Sequence, residues 1–151
     1  KRYFNEIVPK NRFVEIEFSD DNTLGRFGIK ALDSTAGDPN GTMFLEWDLI
    51  INTQRMDSII KPIGWTRETL KTLKEKLDKA NCIQIESGEP TKIGFQRSGM
   101  EMYSYNVFDK PILDSLKLKY NDSCTYILAN DRLVLEYEGG AFGNQCFYNM
   151  K

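Results

Sequence analysis

The sequence predicts an α+β fold: a mostly antiparallel sheet of about eight or nine strands, with two helices packed on one side. Three observations predict it. Apolar and polar residues alternate through the first third of the chain, two later segments carry apolar residues at helical spacing, and a helix-plus-three-strand pattern occurs twice. Because 151 residues is a typical length for one domain, we expect a single domain over residues 1–151.

The N-terminal region, residues 1–64, is predicted to consist mainly of strands and loops. Alternation at 14–18, 27–31 and 45–51 is typical of half-buried strands, with the intervening acidic residues on the solvent face. We expect Trp47 to contribute a large apolar area to the core. Residues 52–64 contain Pro62 and Gly64, so a short turn or an irregular strand is predicted there.

Two helices are predicted from capping residues and apolar spacing. The first covers residues 66–80, where Thr66 is the N-cap and Trp65 and Leu70 occupy the positions of a hydrophobic staple. The second begins at Asp109, with Pro111 tolerated in its first turn. Its predicted staple is Phe108 with Leu113, and its predicted apolar face continues through Leu116 and Tyr120.

The two helices begin a repeat, with units at 65–108 and 109–151. Apolar positions of the two helices are separated by 43 residues, as between Leu70 and Leu113, and those of the following strands by 42, as between Ile85 and Ile127. Each unit is a stapled helix followed by a three-stranded meander. Neither unit buries its helix face alone, so the two copies and the N-terminal strands are predicted to share a core. The pattern resembles the architecture of small periplasmic inhibitor and envelope-assembly modules, a likeness of fold rather than of motif.

The three cysteines, Cys82, Cys124 and Cys146, fit either reduced thiols or one disulfide with a spare. Cys82 and Cys124 occupy equivalent places in the repeat. Two interpretations are therefore open: these two residues form a disulfide near a pseudo-twofold axis, or both are small buried side chains at strand starts.

Composition excludes several kinds of chemistry. The chain contains no histidine, which removes Ser-His-Asp and Cys-His relays and histidine metal sites. Its net charge of −2 is not typical of a nucleic-acid-binding protein, and no apolar run is long enough to span a membrane. Neither a cofactor nor a metal site is predicted from the motifs.

Candidate binding residues lie on the later strands and in a glycine-rich turn at 139–143. Tyrosine on strands offers contact area together with a polar tip, and a glycine-rich hairpin allows close approach of a partner's backbone. The candidates are Tyr103, Tyr105, Gly139, Gly140, Phe142 and Asn144.

These features predict a non-enzymatic binding module of the cell envelope, whose partner is a protein or an envelope ligand. A chain starting at Lys1 rather than Met is expected to be a processed or truncated product. An extracytoplasmic location is favoured over a cytoplasmic one, whether periplasmic, secreted or as a lipoprotein anchored in the envelope. Two alternatives remain. One is an acidic immunity or inhibitor protein that blocks a partner's basic site with its strand carboxylates. The other is a histidine-independent hydrolase that uses paired carboxylates such as Glu136 and Glu138.

Overall fold

The computed structural model describes residues 1–31, 42–139 and 146–147. It divides the chain into two compact units, Lys1–Ser87 and Gly88–Lys151. The predicted α+β class is confirmed, because eight strands with antiparallel pairing and four helices occur in the described residues. The strands are β1 (Arg12–Phe18), β2 (Thr23–Ala31), β3 (Thr42–Ile50), β4 (Gln84–Glu86), β5 (Thr91–Ser98), β6 (Glu101–Val107), β7 (Tyr126–Asn130) and β8 (Leu133–Glu138). The helices are α1 (Arg2–Ile7), α2 (Gln54–Ile60), α3 (Arg67–Lys79) and α4 (Asp114–Lys117).

The first unit is built on strands in the order β3-β2-β1-β4, and its core contains Trp65. The Trp65 ring lies 6.2 Å from that of Phe4 on α1 and 6.1 Å from that of Phe27 on β2. Its indole N–H donates a 2.7 Å hydrogen bond to the carbonyl oxygen of Ile7. Trp65 therefore joins helix α1 to the sheet and leaves no buried polar atom of its own unpaired.

Helix α3 confirms the prediction for residues 66–80. Thr66 is its N-cap and forms a capping box with Thr69, which pairs two backbone N–H groups that a helix N-terminus otherwise leaves free. Leu70, Leu73 and Leu77 are buried on one face, as the spacing predicted. Within the described ranges, no helix is both long and apolar enough to cross a membrane.

Residues 52–64 form a helix and a 3₁₀ turn, so the predicted turn or irregular strand is wrong. Thr53 caps α2 by accepting a hydrogen bond from the backbone N–H of Met56, and the 3₁₀ turn Lys61–Ile63 follows directly. Pro62 is compatible with the start of this turn because the first N–H groups of a helix need no intrahelical partner. Gly64 then ends the turn in the left-handed conformation, at a φ of 74°.

Trp47 lies outside the core, contrary to the prediction from alternation. Its side chain is 58% exposed, whereas Leu49, two residues later, is buried. Asp48 between them has a φ of 53°, so the regular strand conformation is interrupted and the faces no longer alternate across it. Trp47 instead pairs across the strands with Arg26, whose guanidinium lies 5.9 Å from the ring centroid.

The carboxylates on β1 are buried, although alternation predicted them on the solvent face. Glu15 is 4% exposed and Glu17 is 6% exposed. The Glu15 carboxylate lies 3.2 Å from the guanidinium of Arg26 on β2, which supplies a counter-ion. Gly28 makes room for this carboxylate, since a Cβ at that position would lie 2.5 Å from Oε1 of Glu15.

The second unit has strands in the order β5-β6-β8-β7, and its helix is much shorter than predicted. Only Asp114–Lys117 is helical and none of these residues is buried, so the predicted helix from Asp109 is wrong. Pro111 disfavours helical conformation at the residue before it. The N–H groups of Asp109 and Ile112 bond to the side chain of Glu89 and the carbonyl of Asp131, which hold this segment against the neighbouring turns. The helical half of the predicted repeat is therefore not reproduced.

Candidate functional site

The candidate site is one face of the second unit's strands, on which aromatic side chains are partly exposed. Alternate residues of β6 differ sharply in burial: Met102, Ser104 and Asn106 are buried, whereas Tyr103 and Tyr105 are partly exposed. The larger aromatic side chains thus lie on the more accessible face. We call this the aromatic face; its members are Phe95, Tyr103, Tyr105, Tyr137 and Phe147. Tyr137 is buried, at 8% exposed, and the other four are partly exposed.

The rings of the aromatic face stack on one another because strand register brings them together. Tyr103 and Tyr137 are cross-strand partners on β6 and β8, and their rings lie 4.2 Å apart with an interplanar angle of 5°. Phe95 lies where the β5–β6 register shifts, and its ring is 4.5 Å from that of Tyr105. Because the stacked rings cover one another's faces, they fix each other's orientation and present a preformed surface.

A disulfide brings Phe147 to the aromatic face. Cys124 is bonded to Cys146, and the N–H of Phe147 donates a 2.9 Å hydrogen bond to the carbonyl of Cys124. This linkage holds the Phe147 ring 5.9 Å from that of Tyr103 and 5.8 Å from that of Tyr137. An aromatic residue distant in sequence from β6 is therefore part of the same surface.

The Cys82–Cys124 pairing considered from the sequence is wrong. Cys124 forms a disulfide with Cys146. Cys82 is a buried free thiol whose S–H donates a hydrogen bond to the carbonyl of Ala80. Burial raises the pKa of the Cys82 thiol, which disfavours the reactive thiolate. The arrangement is one disulfide with a spare cysteine.

A polar contact limits the chemistry of the aromatic face. The hydroxyl of Tyr137 donates a hydrogen bond to the carboxylate of Glu101. This bond, together with a hydrogen bond to Tyr103, raises the pKa of Tyr137 above its usual range. The phenol therefore remains protonated at neutral pH and acts as a hydrogen-bonding group rather than as a nucleophile.

The structure brings Tyr103 and Tyr105 together but leaves part of the predicted site undescribed. Gly139 follows β8 and is partly exposed. Gly140, Phe142 and Asn144 lie outside the described residues. The sequence prediction missed Phe95, Tyr137 and Phe147. Tyr137 is brought to Tyr103 by cross-strand register, Phe95 lies at a register shift, and Phe147 is placed by the disulfide.

The opposite face of the same strands carries a partly buried ionic cluster. The ammonium of Lys92 contacts the carboxylates of Glu136, at 2.9 Å, and Glu138. Glu136 also accepts hydrogen bonds from the amide of Asn106 at 2.7 Å and from the hydroxyl of Tyr126 at 3.1 Å. Each polar group thus has a partner, as buried charges require.

The electrostatics of this cluster favour a structural role. Desolvation by burial acts to lower the pKa of Lys92, but its two carboxylate partners outweigh that effect and raise the pKa well above the ordinary lysine value. Lys92 therefore stays protonated at neutral pH and has no lone pair with which to act as a general base. Among the residues described, no group of three or more cysteine, aspartate or glutamate side chains is arranged to hold a metal ion.

A groove of about 530 Å³ lies along α3 in the first unit. Phe18, Ile51 and Leu70 form its apolar floor, and its rim carries both charge signs. Lys74 on the rim is paired with Asp78 at 2.6 Å and with Asp21 at 3.3 Å. Because the rim charges compensate one another, the groove offers no net charge that would select an ionic ligand.

Comparison with known proteins identifies no relative: no family model matches the chain, and neither does any curated protein or any solved structure.

Proposed function

We propose that this protein is a non-enzymatic binding module of the cell envelope, and that the aromatic face is its recognition surface. The observation that carries the proposal is the burial pattern of β6, which is the reverse of the usual one: tyrosines lie on the more accessible face, and serine and asparagine lie on the buried face. Tyrosine and phenylalanine clusters that remain partly exposed are typical of interaction surfaces, because they bury large apolar areas at a low entropic cost.

The geometry favours a protein partner over a ligand that stacks on free ring faces. Tyr137 is buried and stacks on one face of Tyr103, and Phe95 stacks on Tyr105, so a partner meets chiefly the uncovered edges and the hydroxyls of Tyr103 and Tyr105. Ring edges and phenol hydroxyls suit side chains and backbone amides of another protein. The Cys124–Cys146 disulfide supports an extracytoplasmic location, since disulfides persist mainly in oxidising compartments.

The two alternative functions have less support because the carboxylates they need are engaged. Glu15 and Glu17 are buried, and Glu46 is bound by Arg55, which leaves fewer acidic groups for a partner's basic site. Glu136 and Glu138 share the Lys92 cation between them, in the place where a hydrolase would need to admit a substrate.

Site-specific photo-crosslinking tests the proposal. A photoreactive amino acid replaces Phe95 in one variant and the exposed Ile50, on β3 of the first unit, in a control variant; both are produced in the native cell and irradiated. We expect a discrete protein adduct from position 95 alone. Unlabelled wild-type protein should compete the adduct away, whereas a competitor carrying Tyr103→Ala and Tyr105→Ala should fail. Equal adducts from both positions, no adduct, or equal competition by both competitors would overturn the proposal.

A further inference from the structure

A pocket of about 280 Å³ in the first unit is lined by the sheet and by the segment that contains α2 and the 3₁₀ turn. On the sheet side, Ile29 of β2 and Phe44 of β3 are cross-strand partners. On the helical side, the lining includes Ile59 of α2 and Ile63 of the 3₁₀ turn. Ile29 and Ile63 are buried, whereas Phe44 and Ile59 are partly exposed. The pocket therefore has an apolar floor and apolar walls that remain accessible.

One charged side chain, that of Arg12 at the start of β1, lines this pocket. Arg12 has the same strand parity as Val14, which pairs with Ile29, so its side chain lies on the pocket's face of the sheet. It is partly exposed, and its guanidinium donates a 3.3 Å hydrogen bond to the uncharged carbonyl of Asn11. This neutral partner leaves the positive charge available to an anion.

No acidic side chain of the described residues lines the pocket. The described acids nearest in sequence to its lining are paired with other arginines, Glu46 with Arg55 and Asp57 with Arg67. In the part of the chain that the structure describes, the pocket thus combines an apolar interior with a single cation. It differs in this respect from the groove along α3, where the rim charges compensate one another.

We propose that this pocket binds a small aliphatic monocarboxylate, a ligand with one carboxylate at the end of a short hydrocarbon chain. The hydrocarbon chain would displace water from the isoleucines and Phe44, which is favourable in proportion to the apolar area covered. The carboxylate would accept two parallel N–H bonds from the planar guanidinium of Arg12. A phosphate monoester fits less well, because its second negative charge would have no cation in the lining.

The size of the pocket also favours a small ligand. Its volume lies near the lower limit of about 300 Å³ that is typical of ligand pockets. All of its lining residues belong to the first unit, so the inference is independent of the aromatic face.

Isothermal titration calorimetry at pH 7 tests the inference with four probes: octanoate, butanoate, octan-1-ol and octylamine. Octanoate should bind more tightly than butanoate by roughly threefold for each added methylene, because the added groups are buried. Octan-1-ol should bind at least about tenfold more weakly than octanoate because it lacks the charge. Octylamine should not bind, since Arg12 repels its ammonium group. Equal affinities for octanoate and octan-1-ol would overturn the inference.

Variants locate the binding at the pocket. Arg12→Met removes the cation but keeps an apolar stem, so it should weaken octanoate binding at least about tenfold and leave octan-1-ol binding unchanged. Arg2→Met, at an exposed arginine on α1 of the same unit, is the matched control and should bind octanoate like the wild type. Ile59→Ser should weaken the binding of both probes, because both hydrocarbon chains need the apolar wall.

A second substitution covers the case in which Ile59→Ser is misfolded by circular dichroism. Arg12→Glu reverses the charge at a partly exposed position and should abolish octanoate binding while the protein stays folded. Amide chemical shifts in the wild type should change around Ile29, Ile59 and Ile63 when octanoate is added. Failure of the wild type to bind octanoate, equal affinities of Arg12→Met and Arg2→Met, or shifts centred on the groove along α3 would each contradict the inference.

Discussion

The ammonium of Lys92 lies 2.9 Å from the carboxylate of Glu136, on the buried face of the second unit. The Lys92 side chain is 21% exposed and that of Glu136 is 10% exposed, so water screens this pair only partly. Two further residues complete the cluster: Glu138 contacts Lys92, and the hydroxyl of Tyr126 donates a hydrogen bond to Glu136. Its members are therefore expected to depend on one another for stability.

Replacing Lys92 by Met is expected to lower the free energy of unfolding by on the order of 3 kcal/mol, because it leaves two carboxylates without their cation. Urea denaturation followed by circular dichroism measures the loss. Lys61→Met, at an exposed lysine in the first unit, is the matched control and should change stability by no more than about 0.5 kcal/mol. Equal losses from the two variants would contradict a structural role for the cluster.

The same cluster predicts loss of stability at high pH. Burial and the Glu136 carboxylate raise the pKa of Tyr126 to about 12, and the carboxylates raise that of Lys92 further. A pKa raised on folding favours the protonated group in the folded state, so this stabilisation is present below the unfolded values of 10.0 and 10.5 and is lost above them. Unfolding free energy should therefore fall as pH rises from about 10 to 12.

A Tyr126→Phe variant isolates one component of that pH dependence. It removes a titrating group whose protonated form the folded state favours, so the alkaline decline in stability should become shallower. A denaturation series over pH, run on both proteins, measures the two slopes. Identical slopes would show that Tyr126 does not contribute.

The Cys124–Cys146 disulfide closes a loop with a sequence separation of 22 residues. Replacing both cysteines by serine should lower the unfolding free energy by about 3 kcal/mol, mainly because the unfolded chain regains conformational entropy. Mass spectrometry after alkylation provides the accompanying check. One thiol, that of buried Cys82, should be modified in the unfolded unreduced protein, and all three after reduction. Two or more modifications before reduction would contradict the assigned pairing.

Leu70 and Leu113 occupy equivalent positions in the predicted repeat but have opposite environments, with exposures of 0% and 67%. Leu70→Ala should cost about 2–5 kcal/mol because it leaves a cavity in the core. Leu113→Ala should change stability by less than about 0.5 kcal/mol, as is usual for an exposed side chain. Denaturant unfolding of the two variants compares them directly. A large loss of stability in Leu113→Ala would indicate that Leu113 is buried, as the longer helix predicted from the sequence requires.

Helix α3 was predictable because its determinants are local. Thr66, Leu70, Leu73 and Leu77 lie within one segment, and capping and apolar spacing act over three or four residues. The shortness of α4 was not predictable, since Asp109 and Ile112 are held by hydrogen bonds to Glu89 and Asp131, which are distant in sequence. These long-range bonds fix the path of the chain over the first residues of the predicted helix, and capping and apolar spacing do not reveal them.

The aromatic face was only partly predictable for a similar reason. Tyr103 and Tyr105 share a strand, so alternation alone places them on one face. Tyr137 joins them through cross-strand register and Phe147 through a disulfide, and both are long-range relationships. Alternation predicted the wrong face for Trp47, because the adjacent Asp48 has a positive φ and side chains alternate between faces only along an uninterrupted strand.

The division of the chain into two compact units separates its natural chromophores. Both tryptophans, Trp47 and Trp65, belong to Lys1–Ser87, while six of the seven tyrosines belong to Gly88–Lys151. Tryptophan fluorescence therefore reports on the first unit, and tyrosine absorbance reports chiefly on the second. A single unlabelled sample can thus be read at two wavelengths during one unfolding experiment, and coincident or separate transitions tell directly whether the units melt cooperatively.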